Sequence, residues 1–199
     1  MNAPSVAALI PGDGVLIRAA SAAPLPPLDP TGDVFHDLAS CLLEQQIHAR
    51  STKRVFARML ERAGIERLRP GDADRFAAVA FEGAAVSRAK RDAFAAAASA
   101  FAGDDTDWLS LPDAEVRRRL GALPGVGGWT VDMILLYTLG RPDIFPVRDY
   151  HLRIGMARLY GLADHGRTAA MREVADGWRP NRSLGVRTVL AWKDAQRRR

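Results

Sequence analysis

From Asp33 to the end of the chain, apolar residues return every three or four positions, as in Val34, Leu38, Cys41, Leu42 and then Val55, Phe56, Met59, Leu60. That spacing lays one apolar stripe along a helix, and no segment after residue 33 alternates apolar and polar as a half-buried strand would. Helices are expected over 33–45, 49–63, 72–79, 87–101, 113–122, 129–139, 149–160, 168–177 and 181–196, separated by short turns rich in Gly, Pro and Asp. The expected fold class is all-α. Residues 1–32 carry six prolines, at 4, 11, 24, 26, 27 and 30, and read as an extended lead-in with room for a short strand, ahead of a helical domain over 33–199.

A chain of 199 residues with 48% hydrophobic residues can bury a core without staples. The single cysteine, Cys41, excludes an internal disulfide and any four-cysteine zinc or iron–sulfur site, and four scattered histidines argue against a metal centre. No apolar run approaches the roughly 18 residues that cross a bilayer, and 1–30 has neither a basic head with an apolar core nor an Arg-rich transit pattern, so a cytoplasmic location is expected. The formal charge is +5, and Lys53, Lys90 and Lys193 are the only lysines. An arginine excess suits phosphate-bearing partners, because the guanidinium fork pairs with phosphate oxygens, although a base-composition bias would produce the same excess. Arg197, Arg198 and Arg199 read as a solvated tail.

Chemistry concentrates between two helical patterns, in Leu123-Pro124-Gly125-Val126-Gly127-Gly128-Trp129-Thr130. Glycines here let the backbone turn sharply and approach another surface, while the helix that follows offers N–H groups without intrahelical partners, which together make an anion cradle. A bare helix–helix turn would also use glycine. Downstream, Asp149 stands in Phe145-Pro146-Val147-Arg148-Asp149-Tyr150 at the start of a helix, where it is either an ordinary N-cap or a reactive carboxylate. Asp132, Asp143 and Glu44 are the rival carboxylates, with Asp132 second to Asp149.

The hairpin, the aspartate about twenty residues after it, Trp178-Arg179-Pro180-Asn181-Arg182-Ser183, and Glu44-Gln45-Gln46-Ile47-His48 upstream together resemble the helix-hairpin-helix DNA glycosylase superfamily. Within it the chain is most similar to the alkylpurine branch, the 3-methyladenine DNA glycosylase II family, over residues 33–196. The resemblance implies two interleaved helical lobes with a cleft between them, and makes 1–32 a remnant of an N-terminal domain found in some branches. It implies Asp149 as catalytic carboxylate, with Arg148 beside it helping to keep it ionised. Gly125, Val126, Gly127, Gly128 and Thr130 become the DNA-backbone hairpin, whose carbonyls could also hold a monovalent cation, the one cofactor considered. Gln45 and Gln46, with Ile47 and His48, become the wedge that fills the gap left by an extruded base, though a solvated polar helix end fits the same residues. Trp129, Met133, Tyr150, Leu190 and Trp192 become the base pocket, with Arg182 and Ser183 either bracing the lobe or touching DNA. Met133 stands where relatives often carry an aromatic, and a core role for Trp129 fits as well as a pocket role. Tyr150 and Tyr137 could line the cleft, and a core role fits both at least as well.

Bifunctional members place a lysine where this chain has Trp129, and no lysine lies between Lys90 and Lys193, so Schiff-base chemistry has no amine there. The expected function is therefore a monofunctional, monomeric base excision repair enzyme that hydrolyses 3-methyladenine- and 7-methylguanine-type lesions from double-stranded DNA. The rivals are a glycosylase for another damaged base and a non-catalytic helix-hairpin-helix DNA-binding module.

Overall fold

A computed structural model describes residues 5–44, 52–162 and 168–196, and among them every regular element is a helix. The elements are α1 (Val6–Leu9), α2 (Gly14–Ala22), α3 (Val34–Glu44), α4 (Thr52–Ala63), a 3₁₀ turn (Pro70–Asp72) running into α5 (Ala73–Ala80), α6 (Arg88–Phe101) and α7 (Asp113–Gly121). They continue with α8 (Gly128–Met133), a π-helical turn directly after it (Ile134–Thr138), α9 (Tyr150–Tyr160), α10 (Thr168–Asp176) and α11 (Arg182–Gln196). No described helix is long and apolar enough to cross a membrane.

The chain divides into two compact units, one formed by 31–139 and the other by 1–30 together with 140–199. The core of the first is aromatic. Phe76 and Phe94 pack 5.4 Å apart, Phe35 lies 6.3 Å from Phe94, and Phe101 stacks on Trp108 at 5.4 Å. Burying each such ring stabilises the unit by roughly 1.5–3 kcal/mol. The alanine-rich α6 runs beside α3, because small side chains let the two helices approach while its Phe94 and Phe101 fill the remaining space.

The second unit departs from the expectation for residues 1–32. Instead of an extended lead-in, the segment forms α1 and α2, and α2 packs on α11 and α9. The physical reason is Asp13. Its carboxylate caps α2 through the Leu16 N–H at 2.8 Å, and also accepts from Tyr160 Oη at 2.7 Å and from Trp178 Nε1 at 2.8 Å. Leu16 and Ala19 are buried. The prolines flank this helix without entering it, which is why their density misleads.

Asp13 also sets a pH dependence. Burial opposes its charge, but the Leu16 N–H and the Trp178 and Tyr160 donors outweigh that and hold its carboxyl below the usual carboxylate range. Asp143 is lowered too, burial being outweighed chiefly by Arg182. A carboxyl depressed in the folded state stabilises the fold while ionised, and the contribution fades as pH falls through the ordinary value toward the folded one. Thermal melts of wild type should therefore decline below about pH 4, and those of Asp13→Asn should start lower at neutral pH and decline less. Parallel declines in the two proteins would remove Asp13 as a cause.

Candidate functional site

The hairpin is built as its glycines require. Between α7 and α8 the turn is closed by Leu123 N–H to Leu120 O at 3.1 Å and Val126 N–H to Leu123 O at 3.2 Å. Gly125 adopts φ +75°, and a Cβ there would meet the Ala93 Cβ at 2.8 Å, so position 125 tolerates only glycine without strain. Val126 is buried and anchors the turn, whereas Gly127 and Gly128 are exposed and a Cβ on either would meet nothing within 4 Å. Their glycine character leaves the lip of the hairpin flat, open to an approaching surface. The Leu123 and Gly127 carbonyls each accept one backbone N–H and keep a second lone pair, the type of neutral oxygen that a monovalent cation takes.

Replacing Gly125 by Ala adds left-handed backbone strain of about 1–2 kcal/mol to the clash with Ala93. We expect a lower melting temperature and at least several-fold weaker duplex DNA binding, measured by fluorescence anisotropy. Unchanged binding would take the hairpin out of the DNA contact.

Two residues of α8 are held within the fold. Thr130 is only 2% exposed, its side chain enclosed at the start of α8. Asp132, the second-ranked carboxylate, pairs with Arg117 at 2.6 Å and ties α8 to α7. Burial raises its pKa and the Arg117 hydrogen bond offsets part of the rise. It is a brace.

Asp149 belongs to the other unit. It is 8% exposed and is the N-cap of α9, its Oδ1 accepting the Leu152 N–H at 2.7 Å while its own N–H donates to Pro146 O at 2.8 Å. Asp149 is therefore an N-cap, and the cap fixes the orientation of its carboxylate. Arg148 is exposed, and Asp149 stands at the N-terminus of α9, whose positive end favours a carboxylate.

The segment leading to Asp149 is clamped by the start of α11. Arg182 grips Asp143 with two prongs, Nε to Oδ1 at 2.7 Å and Nη2 to Oδ2 at 2.9 Å, and Nη2 also donates to the Asp143 carbonyl at 2.9 Å. Ser183 Oγ donates to Arg141 O at 2.5 Å and accepts the Ile144 N–H at 3.0 Å. Of the two roles left open for Arg182 and Ser183, these contacts are those of a brace. The same contacts account for Asp143 as a structural ion.

The pocket candidates fall in both units. Trp129, 36% exposed, and the half-buried Met133 lie on α8, so Trp129 is not a core residue. Tyr150, 66% exposed, opens α9, and Leu190 and Trp192 are half-buried on α11. Gln45, Gln46, Ile47 and His48 lie outside the described residues. Among the described residues no cluster of His, Cys, Asp and Glu is placed to hold a metal ion. Sequence reading did not find Asp13, whose signal was present: an Asp directly before Gly14 and an apolar pair, Val15 and Leu16.

Residues 39–180 match the family model described as HhH-GPD superfamily base excision DNA repair protein. DNA-3-methyladenine glycosylase 1 of Schizosaccharomyces pombe (strain 972 / ATCC 24843) is 26% identical over 134 residues, which cover 64% of this chain and 58% of that relative. The chain thus spans little more than half the length of this relative. Two solved structures share the fold. The S. pombe 3-methyladenine DNA glycosylase Mag1 in complex with abasic DNA has a TM-score of 0.81 at 21% identity, covering 94% of both chains. A DNA-3-methyladenine glycosidase from Bacillus halodurans has a TM-score of 0.75 at 24% identity, covering 98% of this chain and 90% of that one.

Proposed function

The chain belongs to the HhH-GPD superfamily of base excision DNA repair proteins, and we propose that it is a monofunctional DNA glycosylase that removes N-alkylated purines from duplex DNA. The observation that carries the reading is Asp149: a nearly buried carboxylate, oriented by its own cap and preceded by a segment clamped through Arg182 and Ser183.

A purine methylated at N3 or N7 carries positive charge and leaves as a neutral base. As the C1′–N bond breaks, both bonding electrons go to the base and the sugar becomes oxocarbenium-like. An adjacent carboxylate stabilises that charge directly. Asp149 then orients water, whose oxygen bonds to C1′, and accepts its proton. The product is an abasic site. The hairpin contributes affinity without sequence, through backbone N–H groups around Gly127 and Gly128 directed at phosphate, and a monovalent cation on its carbonyls would add positive charge there. No lysine stands at the hairpin to form a Schiff base, so the strand is left intact. The target base must leave the stack before C1′ is reachable, and the wedge role of Gln45 and Gln46 belongs to that step.

The test is release of 3-methyladenine and 7-methylguanine from methylated duplex DNA by the purified protein, with strand integrity assayed before any alkaline treatment. Released methylpurines with unbroken strands are expected. DNA binding without release would favour a binding module, and strand cleavage without alkali would remove the monofunctional assignment.

A further inference from the structure

In the unit that carries Asp149, one imidazole makes no hydrogen bond within the fold. His151 stands two residues after Asp149, in the first turn of α9. Its Nδ1 is enclosed and has no hydrogen-bond partner among the described residues. The ring as a whole is half-buried, its Nε2 is not enclosed, and no hydrogen bond among the described residues uses it. Edge contact with the Tyr150 ring, at 5.4 Å and 69°, sets the tilt of the imidazole. An enclosed polar atom without a partner opposes folding, and a leucine of similar bulk would fill the place without that cost. Packing therefore does not account for the imidazole. A neutral imidazole carries one N–H and one acceptor. Enclosed N–H groups without an acceptor are rarer than enclosed acceptors short of a donor, which puts the proton on Nε2 and turns an N–H outward.

The chemistry of the nucleotide decides which acceptor that N–H meets. A methylated purine is a cation, and a donor turned toward it meets charge of its own sign. The phosphates flanking the same nucleotide are anions, remain after the base has gone, and adjoin the sugar whose C1′ Asp149 must reach. Over 148–153 two arginines, Arg148 and Arg153, stand against one acid, Asp149, and the N-terminal end of α9 adds partial positive charge. Resting on the glycosylase reading above, we infer that His151 is a further DNA-contact residue: its Nε2–H donates to a phosphate oxygen flanking the nucleotide that loses its base, and so holds that sugar against Asp149. A hydrogen bond to a charged oxygen is stronger than one between neutral groups. It forms only once that nucleotide has left the stack, so it favours a damaged site over undamaged duplex.

The experiment measures fluorescence anisotropy with the full chain, as wild type, His151→Leu and His151→Gln, each checked by thermal melting. The probes are two duplexes that differ by a single tetrahydrofuran abasic analogue. With the orphan nitrogen gone, His151→Leu should melt at or above the wild-type temperature. It should bind the abasic duplex about tenfold more weakly and the undamaged duplex within twofold of wild type, because the hairpin carries that affinity. His151→Gln, whose amide puts an N–H near the place of Nε2, should recover most of the loss. Methylphosphonates at the two phosphates flanking the analogue remove their charge, and should weaken wild type while leaving His151→Leu nearly unmoved. Three results overturn the inference: a His151→Leu that melts well below wild type, one that binds the abasic duplex as wild type does, or a wild-type advantage that survives the methylphosphonates. Failure of the wider reading looks different: a protein that shows this phosphate-dependent effect of His151 yet releases no methylpurine keeps the contact and loses the alkylpurine assignment.

Discussion

Asp149→Asn should fold, bind duplex DNA within a few-fold of wild type, and release methylpurines at least about 100-fold more slowly. Asparagine caps a helix about as well as aspartate, so its side-chain oxygen can take the Leu152 N–H that Oδ1 takes now, and the melting temperature should move by only a few degrees. What disappears is the negative charge. A neutral amide offers an oxocarbenium-like sugar a dipole in place of an ion, and it cannot take a proton from water. Asp132→Asn is the matched control, because it loses the pairing with Arg117 across the hairpin and leaves the sugar chemistry untouched. It should cost some stability and weaken DNA binding modestly, with the release rate at saturating DNA unchanged. Equal loss of release in both variants would mean that Asp149 acts as an ordinary structural cap.

How much of this was legible in the sequence depended on whether the signal was local. The helices after residue 33 follow from three-and-four spacing, and the hairpin follows from glycines, one of which, Gly125, adopts a positive φ against Ala93. Asp149 stood out by its distance from that hairpin and lies at a helix start, as expected. What stayed hidden was tertiary. Asp13 gains its meaning from Tyr160 and Trp178, residues 147 and 165 positions away, and no window of sequence contains that triple contact. Arg182 and Ser183 could be read as DNA contacts until their partners Asp143, Arg141 and Ile144 were placed. Thr130 and Asp132 sit in an attractive motif but face inward and toward Arg117 respectively. The π turn has no sequence signature at all, since Ile134–Thr138 reads as ordinary helix.

Gly185→Ala should be the most damaging small substitution in the unit that carries Asp149. An added Cβ would lie 2.4 Å from Trp178 Cε3 and 2.6 Å from Cδ2, well inside contact distance with a ring that is 1% exposed. The ring cannot simply swing away. Its Nε1 is bonded to Asp13, Phe145 meets it edge-on at 6.1 Å, and Tyr160 lies at 6.2 Å. Nor can α11 back off, because a Cβ on the facing Gly155 of α9 would come within 2.7 Å of Val189, which shows how closely the two helices pack. Strain is therefore shared by the Asp13 node and by the Arg179–Ser183 stretch that clamps the approach to Asp149. The expected cost is about 3 kcal/mol, or roughly 10 °C in melting temperature for a chain of this length, with base release lost earlier on warming than DNA binding at the hairpin. Gly121→Ala supplies the comparison: a Cβ there meets nothing within 4 Å, and alanine at that helical position should be neutral or mildly stabilising. If the two variants melt together, the close contact of α11 with Trp178 is not what holds this unit, and the route from Asp13 to the Asp149 segment loses its central link.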